Sequence, residues 1–160
     1  MAEPELTIPL LAGHRPDGQP VFENVAVLAG DQPNRFMLRR SPLFVPGVAQ
    51  GDVIDLEAQQ PGLFRLVERS GQLAIRVITR DRAESLSQML TPVVERIDGR
   101  LDVESERALV YSIHVAVGFR TIERLFDAAV SNQVGRWSYG NVYHPESGEP
   151  LGWWESMLST

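Results

Sequence analysis

The sequence predicts an α+β fold: a small β-barrel or rolled sheet over residues 1–70, a ferredoxin-like β-α-β-β-α-β unit over 71–140, and an aromatic C-terminal tail over 141–160. Three observations carry this reading. Short apolar runs broken by Gly, Pro, Asn and Asp fill the first segment, at the spacing of a small all-β unit. Two stretches with helical periodicity follow, set among runs of alternating or continuous apolar residues. Finally, Trp137, Tyr139, Tyr143, Trp153 and Trp154 crowd the end of the chain, with prolines and glycines between them.

In the first segment, His14 to Pro20 reads as a turn and Val21 to Leu28 as a strand. Gly30 to Asn34 makes the next turn, and Arg35 to Arg40 the next strand. A tight turn at Gly51-Asp52 launches an alternating strand through Leu56, and Gln60-Pro61-Gly62 turns into Leu63 to Glu68. From Leu73 the pattern changes. Leu73 to Ile78 is apolar enough for a central strand, and Asp81-Arg82-Ala83-Glu84 has capping-box character ahead of a helix. Leu86, Met89, Leu90, Val93, Val94 and Ile97 fall on one stripe of that helix, Pro92 should kink it, and Gly99 should supply its left-handed cap. A short strand near Leu101, a longer one from Ala108 to Val117, a helix with Ile122 and Phe126 inward, and a closing strand Gly135 to Tyr139 complete the unit.

Composition sets the outer bounds. A chain of 160 residues buries a sizeable core without a staple. Cysteine is absent, which removes disulfides, thiolate metal sites and cysteine nucleophiles. The start, Met1-Ala2-Glu3-Pro4-Glu5, is acidic where a signal peptide is basic, and no apolar run approaches the ~20 residues of a membrane span. These features point to a cytoplasmic protein with no membrane partner. All fifteen basic residues are arginine, and the formal charge is −6. Residues 1–82 hold nine arginines against ten acids, residues 83–160 six against eleven, so the second half is the acidic one. That balance argues against nucleic acid as the partner, because phosphate neutralisation dominates such binding.

Gly47-x-x-x-Gly51-Asp52-Val53, then Glu68-Arg69-Ser70-Gly71 leading into Arg76-Val77-Ile78, and later Gly135-Arg136-Trp137-Ser138-Tyr139 resemble a bacterial family catalogued as a domain of unknown function, number 4265. The resemblance runs from about Val21 to Tyr143. It implies an uncharacterised protein and carries over no catalytic residue.

Nucleotide-loop, zincin, nucleophile-elbow and EF-hand patterns are all missing, and no cofactor is expected. His14, His114 and His144 have no metal-ligand spacing. Asp52 and Asp55 could divide acid and base roles; the plainer reading is a turn carboxylate beside a solvated strand residue. Arg69 and Arg76 could hold an anion in a groove between the halves, or form a junction ion pair with Glu68. His114, in an apolar strand, could be a general base or a half-buried sheet histidine. With Asp52 these residues make up the candidate ligand groove. Trp137, Tyr139, Trp153 and Trp154 form the candidate partner-binding set, since buried aromatics anchor interfaces; the alternative is that the tail completes the protein's own core or a homodimer contact.

The leading functional expectation is a non-catalytic binding or regulatory module acting through a protein partner, of which an immunity or antitoxin protein is one form. The alternative is a small-ligand binder or enzyme using the groove.

Overall fold

Alternation in the first segment and helical stripes in the second place apolar side chains on opposite sides of two sheets. A computed structural model describes residues 4–158; Met1, Ala2 and Glu3 at the acidic start, and the last two tail residues, lie outside them. Strands β1 (Leu6–His14), β2 (Pro20–Ala29), β3 (Arg35–Leu38), β4 (Val53–Leu56) and β5 (Phe64–Glu68) form one antiparallel meander in that spatial order. The second unit runs β6 (Gln72–Thr79), α1 (Glu84–Glu95), β7 (Arg100–Ser105), β8 (Ala108–His114), a 3-10 turn (Val115–Val117), α2 (Phe119–Ala129) and β9 (Gly135–Tyr139). Its antiparallel sheet has the order β7-β8-β6-β9, and a single-turn helix α3 (Glu155–Leu158) follows.

Several expectations need correction. The first unit is an open five-stranded sheet, not a closed barrel. One bond, from the Leu11 N–H to the Gly62 carbonyl at 2.8 Å, ties β1 to the β4–β5 turn. The sequence reading has no strand at β1, where Pro9 interrupts the apolar run. Proline is tolerated there because β1 is an edge strand. The strand expected to reach Val117 stops at His114, whose Nδ1 accepts the Ala116 N–H and turns the chain into the 3-10 segment. No side chain caps α1: Ala83 occupies its N-cap, and Asp81 contributes only a carbonyl, to the Thr79 hydroxyl. The helix continues through Pro92 to Glu95, and its buried stripe is narrower than expected: Leu86, Leu90 and Val94 face inward while Met89 and Val93 are exposed. At its end Asp98, not Gly99, adopts the left-handed conformation, with φ of 64°. Gly99 is required for a different reason: a Cβ there would lie 2.5 Å from Val94 and 2.8 Å from Ile113.

Two cores result. Leu73, Ile75 and Val77 of β6 and Leu109, Tyr111 and Ile113 of β8 pack under Leu86, Leu90 and Val94 of α1 and Ile122 and Phe126 of α2. Leu10, Val25, Val27, Leu38 and Ile54 of the first sheet pack with Val45 and Val48 from the loop between β3 and β4. That loop sits between the sheets. Its burial demands partners for its amides, because an unpaired buried N–H costs as much as a lost hydrogen bond. Three carboxylates supply them. Glu23 accepts the N–H groups of Leu43, Phe44 and Val45 at 2.7–2.9 Å. Asp52 accepts those of Ala49 and Ser70. Asp102 accepts the Ser41 N–H at 2.7 Å and the Ser112 hydroxyl. The Gln50 N–H donates to the Ser41 hydroxyl, which pairs with Ser112, so a continuous polar chain crosses from loop to sheet.

Asp102→Ala would strand the buried Ser41 N–H and leave the Ser112 hydroxyl with Ser41 alone. Unfolding in urea should show a loss of about 3 kcal/mol with an unchanged denaturant slope. A loss below about 0.5 kcal/mol would mean the chain adds nothing to stability.

Candidate functional site

Burial and hydrogen bonding decide which polar residues remain free for a partner. The four groove residues are all engaged internally. Asp52 is 1% exposed and sits in the β3–β4 seam. Burial pushes its carboxyl above the ordinary range, against the pull of the Ser70 and Ala49 amides and of Arg69. Arg69 donates to the Gly47 carbonyl at 2.9 Å, lies 3.8 Å from Asp52, and stacks over the Trp153 ring at 5.0 Å. Arg76 donates to the Val45 carbonyl at 2.6 Å, and burial lowers its pKa against the pull of Glu23. Its Nε is buried without a partner, facing Gly140, where a Cβ would come within 2.8 Å. The His114 ring lies over Gly71, with Nε2 at 2.4 Å from a Cβ position, and Nδ1 holds the Ala116 amide. Asp52, Arg69 and Arg76 thus bind the halves together, while the contacts of His114 stay within the second unit.

Asp55 stands apart from Asp52. It is clamped by Arg35 at 2.7 and 3.0 Å, with Arg65 at 2.9 Å, and its pKa falls, chiefly through the Arg35 hydrogen bond. Glu68 is exposed. Neither the shared acid–base pair nor the junction ion pair to Glu68 is present among the described residues.

The aromatic residues divide into two groups. Trp153 and Trp154 are half-buried against the second core. The Trp153 indole donates to the Asn141 carbonyl at 2.8 Å, and Trp154 meets Phe119 edge-on at 5.2 Å. The tail therefore folds back on its own body, the alternative open in the sequence. Asn141 makes this possible. Fully buried, it accepts the Ala74 N–H and donates to the Gln72 carbonyl, extending the pairing of β6 past the end of β9.

Trp137 and Tyr139 take another role. Both lie on β9, face α2 and remain half-exposed. The Trp137 indole donates to Asp127 at 2.8 Å, and the Tyr139 hydroxyl donates to Glu123 at 3.0 Å. Burial, reinforced by the Glu123 bond and charge, drives the Tyr139 hydroxyl far above the ordinary phenol range, so it remains a donor. Glu123 and Asp127 are one helical turn apart on α2, and with Trp137, Ser138, Tyr139 and the exposed Tyr143 they line an open cleft of about 310 Å³. Neither carboxylate reaches an arginine in the salt bridges among the described residues. Aromatic faces beside uncompensated carboxylates attract a cation. Glu123 and Asp127 are not among the candidates named from sequence, although their i, i+4 spacing before an aromatic strand is a usable signal. No group of three or more metal-ligating side chains comes together among the described residues.

A family model described as a domain of unknown function (DUF4265) matches residues 23–139. The match begins at the loop-holding Glu23 and ends at Tyr139. The crystal structure of a hypothetical protein from Neisseria gonorrhoeae has a similar fold, with a TM-score of 0.53 over 87% of this chain and 93% of that one, at 18% identity. No curated protein matches the chain.

Two outcomes follow from the burial pattern. Trp153→Ala should cost about 2 kcal/mol in urea unfolding, by loss of packed area and of the cation–π contact; an unchanged midpoint would return Trp153 to the surface. The Asp52 carboxyl, raised in the folded state, makes its stabilising contribution in full below the unfolded pKa, near 3.8, and loses it as pH rises through the folded value. Wild-type protein should therefore gain stability relative to Asp52→Asn as pH falls from 7 to 4, read from paired urea midpoints. A constant difference would contradict the shift.

Proposed function

The chain belongs to the DUF4265 family, and from that premise we propose that it is a non-catalytic binding or regulatory module acting through a protein partner. The observation that carries this reading is the acidic, aromatic cleft between α2 and β9. Asp52, Arg69 and Arg76 of the groove between the halves each make internal hydrogen bonds, with only the buried Arg76 Nε left unpaired, whereas Glu123, Asp127, Trp137, Tyr139 and Tyr143 present charge and ring area to solvent. Large aromatic side chains flanked by fixed hydrogen bonds are good anchors because little rotamer freedom remains to be lost on binding. The uncompensated carboxylates select a basic partner, in keeping with the net charge of −6. An immunity or antitoxin protein facing a basic toxin is one form of such a module. We read the second unit as ferredoxin-like, from its element sequence and its β7-β8-β6-β9 order, and place the protein in the cytoplasm. No described helix is long and apolar enough to cross a membrane.

The test is native affinity capture from the protein's own host with wild-type chain and with Glu123→Gln/Asp127→Asn. These substitutions preserve shape and leave the acceptors for Trp137 and Tyr139 in place. A stoichiometric basic protein retained by the wild type and lost from the variant, with both showing the same circular dichroism, is the expected result. Equal retention by both would remove the cleft from the interface. Retention of a small molecule alone would favour the enzyme or ligand-binding alternative.

A further inference from the structure

The outer edge of β9 borders the same cleft, and its main-chain geometry specifies how a partner would enter. The Gly140 N–H donates to the Ala74 carbonyl and the Arg80 N–H to the Val134 carbonyl. In an antiparallel pair, residues exchanging both bonds alternate with residues exchanging none. With the register Ile75–Tyr139, Val77–Trp137 and Thr79–Gly135, the main-chain groups of Arg136 and Ser138 point toward β6. Those of Gly135, Trp137 and Tyr139 point away from it. The Gly135 N–H is taken by the Ser131 carbonyl at 3.0 Å, closing that end. No strand pairs with the other side of β9 among the described residues. Trp137 and Tyr139 thus present two donors and two acceptors in strand geometry, an arrangement that invites a further strand.

Side-chain parity links this edge to the cleft. A residue directly opposite Trp137 or Tyr139 in an added strand projects to the same face of the sheet, the face covered by α2. There it meets Glu123, Asp127 and the rings of Trp137, Tyr139 and Tyr143. Ser138 also lines the cleft, so the rim of the strand is part of its wall.

We propose that the partner segment is an extended, basic peptide that adds as a fifth strand along the free edge of β9 and places an arginine or lysine side chain between Glu123 and Asp127. Main-chain bonds to Trp137 and Tyr139 supply the alignment, and the carboxylates with the flanking rings supply the preference for a cation. This rests on the cleft being the working surface, and it adds the conformation and chemistry of what occupies it.

The probe is a synthetic peptide of about seven residues, an ordinary strand length, in which arginine alternates with threonine and valine. Binding to the full chain is followed by tryptophan fluorescence and by calorimetry. Three comparisons are made with wild-type protein: the parent peptide, the same peptide N-methylated at the residues facing the edge, and a peptide with glutamine for arginine. Glu123→Gln/Asp127→Asn protein is titrated with the parent peptide. The expected result is a weakening of about tenfold or more for both the N-methylated and the glutamine peptides, and for the variant protein. Equal affinity of N-methylated and parent peptides, with loss in the other two cases, would overturn strand addition while leaving the cationic cleft standing. Equal affinity of arginine and glutamine peptides, or no binding of the parent peptide at all, would overturn the proposal in full. A fluorescence change and displacement of the peptide by a second copy of the chain would assign the edge to self-association instead, and would also overturn it.

Discussion

A loop buried between two sheets can persist only if its amides are answered, and here they are answered by two carboxylates from distant strands, Glu23 and Asp102, and by Asp52 at the loop's own end. Glu23, Asp52 and Asp102 accept at least one main-chain N–H each from the segment Ser41–Ala49. Such charge-assisted bonds are roughly twice as strong as neutral ones, and leaving them unmade costs still more. Once the segment is held, Val45 and Val48 complete the first core, Arg76 and Arg69 reach its carbonyls, and the back of the second sheet is covered. The Gly47 N–H even bonds the Gly140 carbonyl at the end of β9, so the seam also fixes where the last strand stops.

This arrangement explains how the chain divides its charges. Asp52, Arg69 and Arg76, nearest the junction, are engaged in holding the two units together. On the far side of the second sheet the situation is reversed. Glu123 and Asp127 are anchored by the Trp137 indole and the Tyr139 hydroxyl, not neutralised by a cation, so their orientation is set while their charge stays available. Preorganisation of that kind favours association, because ordering has been completed before the partner arrives.

Much of the architecture is legible in local pattern. Alternation identifies β4 and a nearly continuous apolar run identifies β6, the helical stripes of α1 and α2 are placed by Leu86, Leu90, Val94, Ile122 and Phe126, and the Gly51 turn is marked by glycine at φ of 86°. What escapes is long-range. Glu23 and Asp102 look like ordinary strand residues, since their partners lie 20 to 61 positions away and leave no periodic trace. Pro9 hides β1 because its tolerance depends on an edge position that only the assembled sheet defines. The open sheet replaces a barrel because β1 and β5 end on opposite edges, a matter of curvature not encoded in any single strand. Of the site, Trp137 and Tyr139 are visible as an aromatic strand, while the role of Trp153 and Trp154 turns on whether the tail folds back, which Asn141 and Phe119 decide through contacts made only in the folded chain.

Held by both units, the buried loop should make the two sheets one cooperative unit. Native-state hydrogen exchange followed by peptide mass spectrometry over increasing urea tests it most directly. Amides of segment 41–52, of β2 in the first sheet and of β6 and β8 in the second should share one opening free energy and one denaturant dependence. Exchange of the first sheet at a distinctly lower free energy, with β6 and β8 still protected, would contradict it.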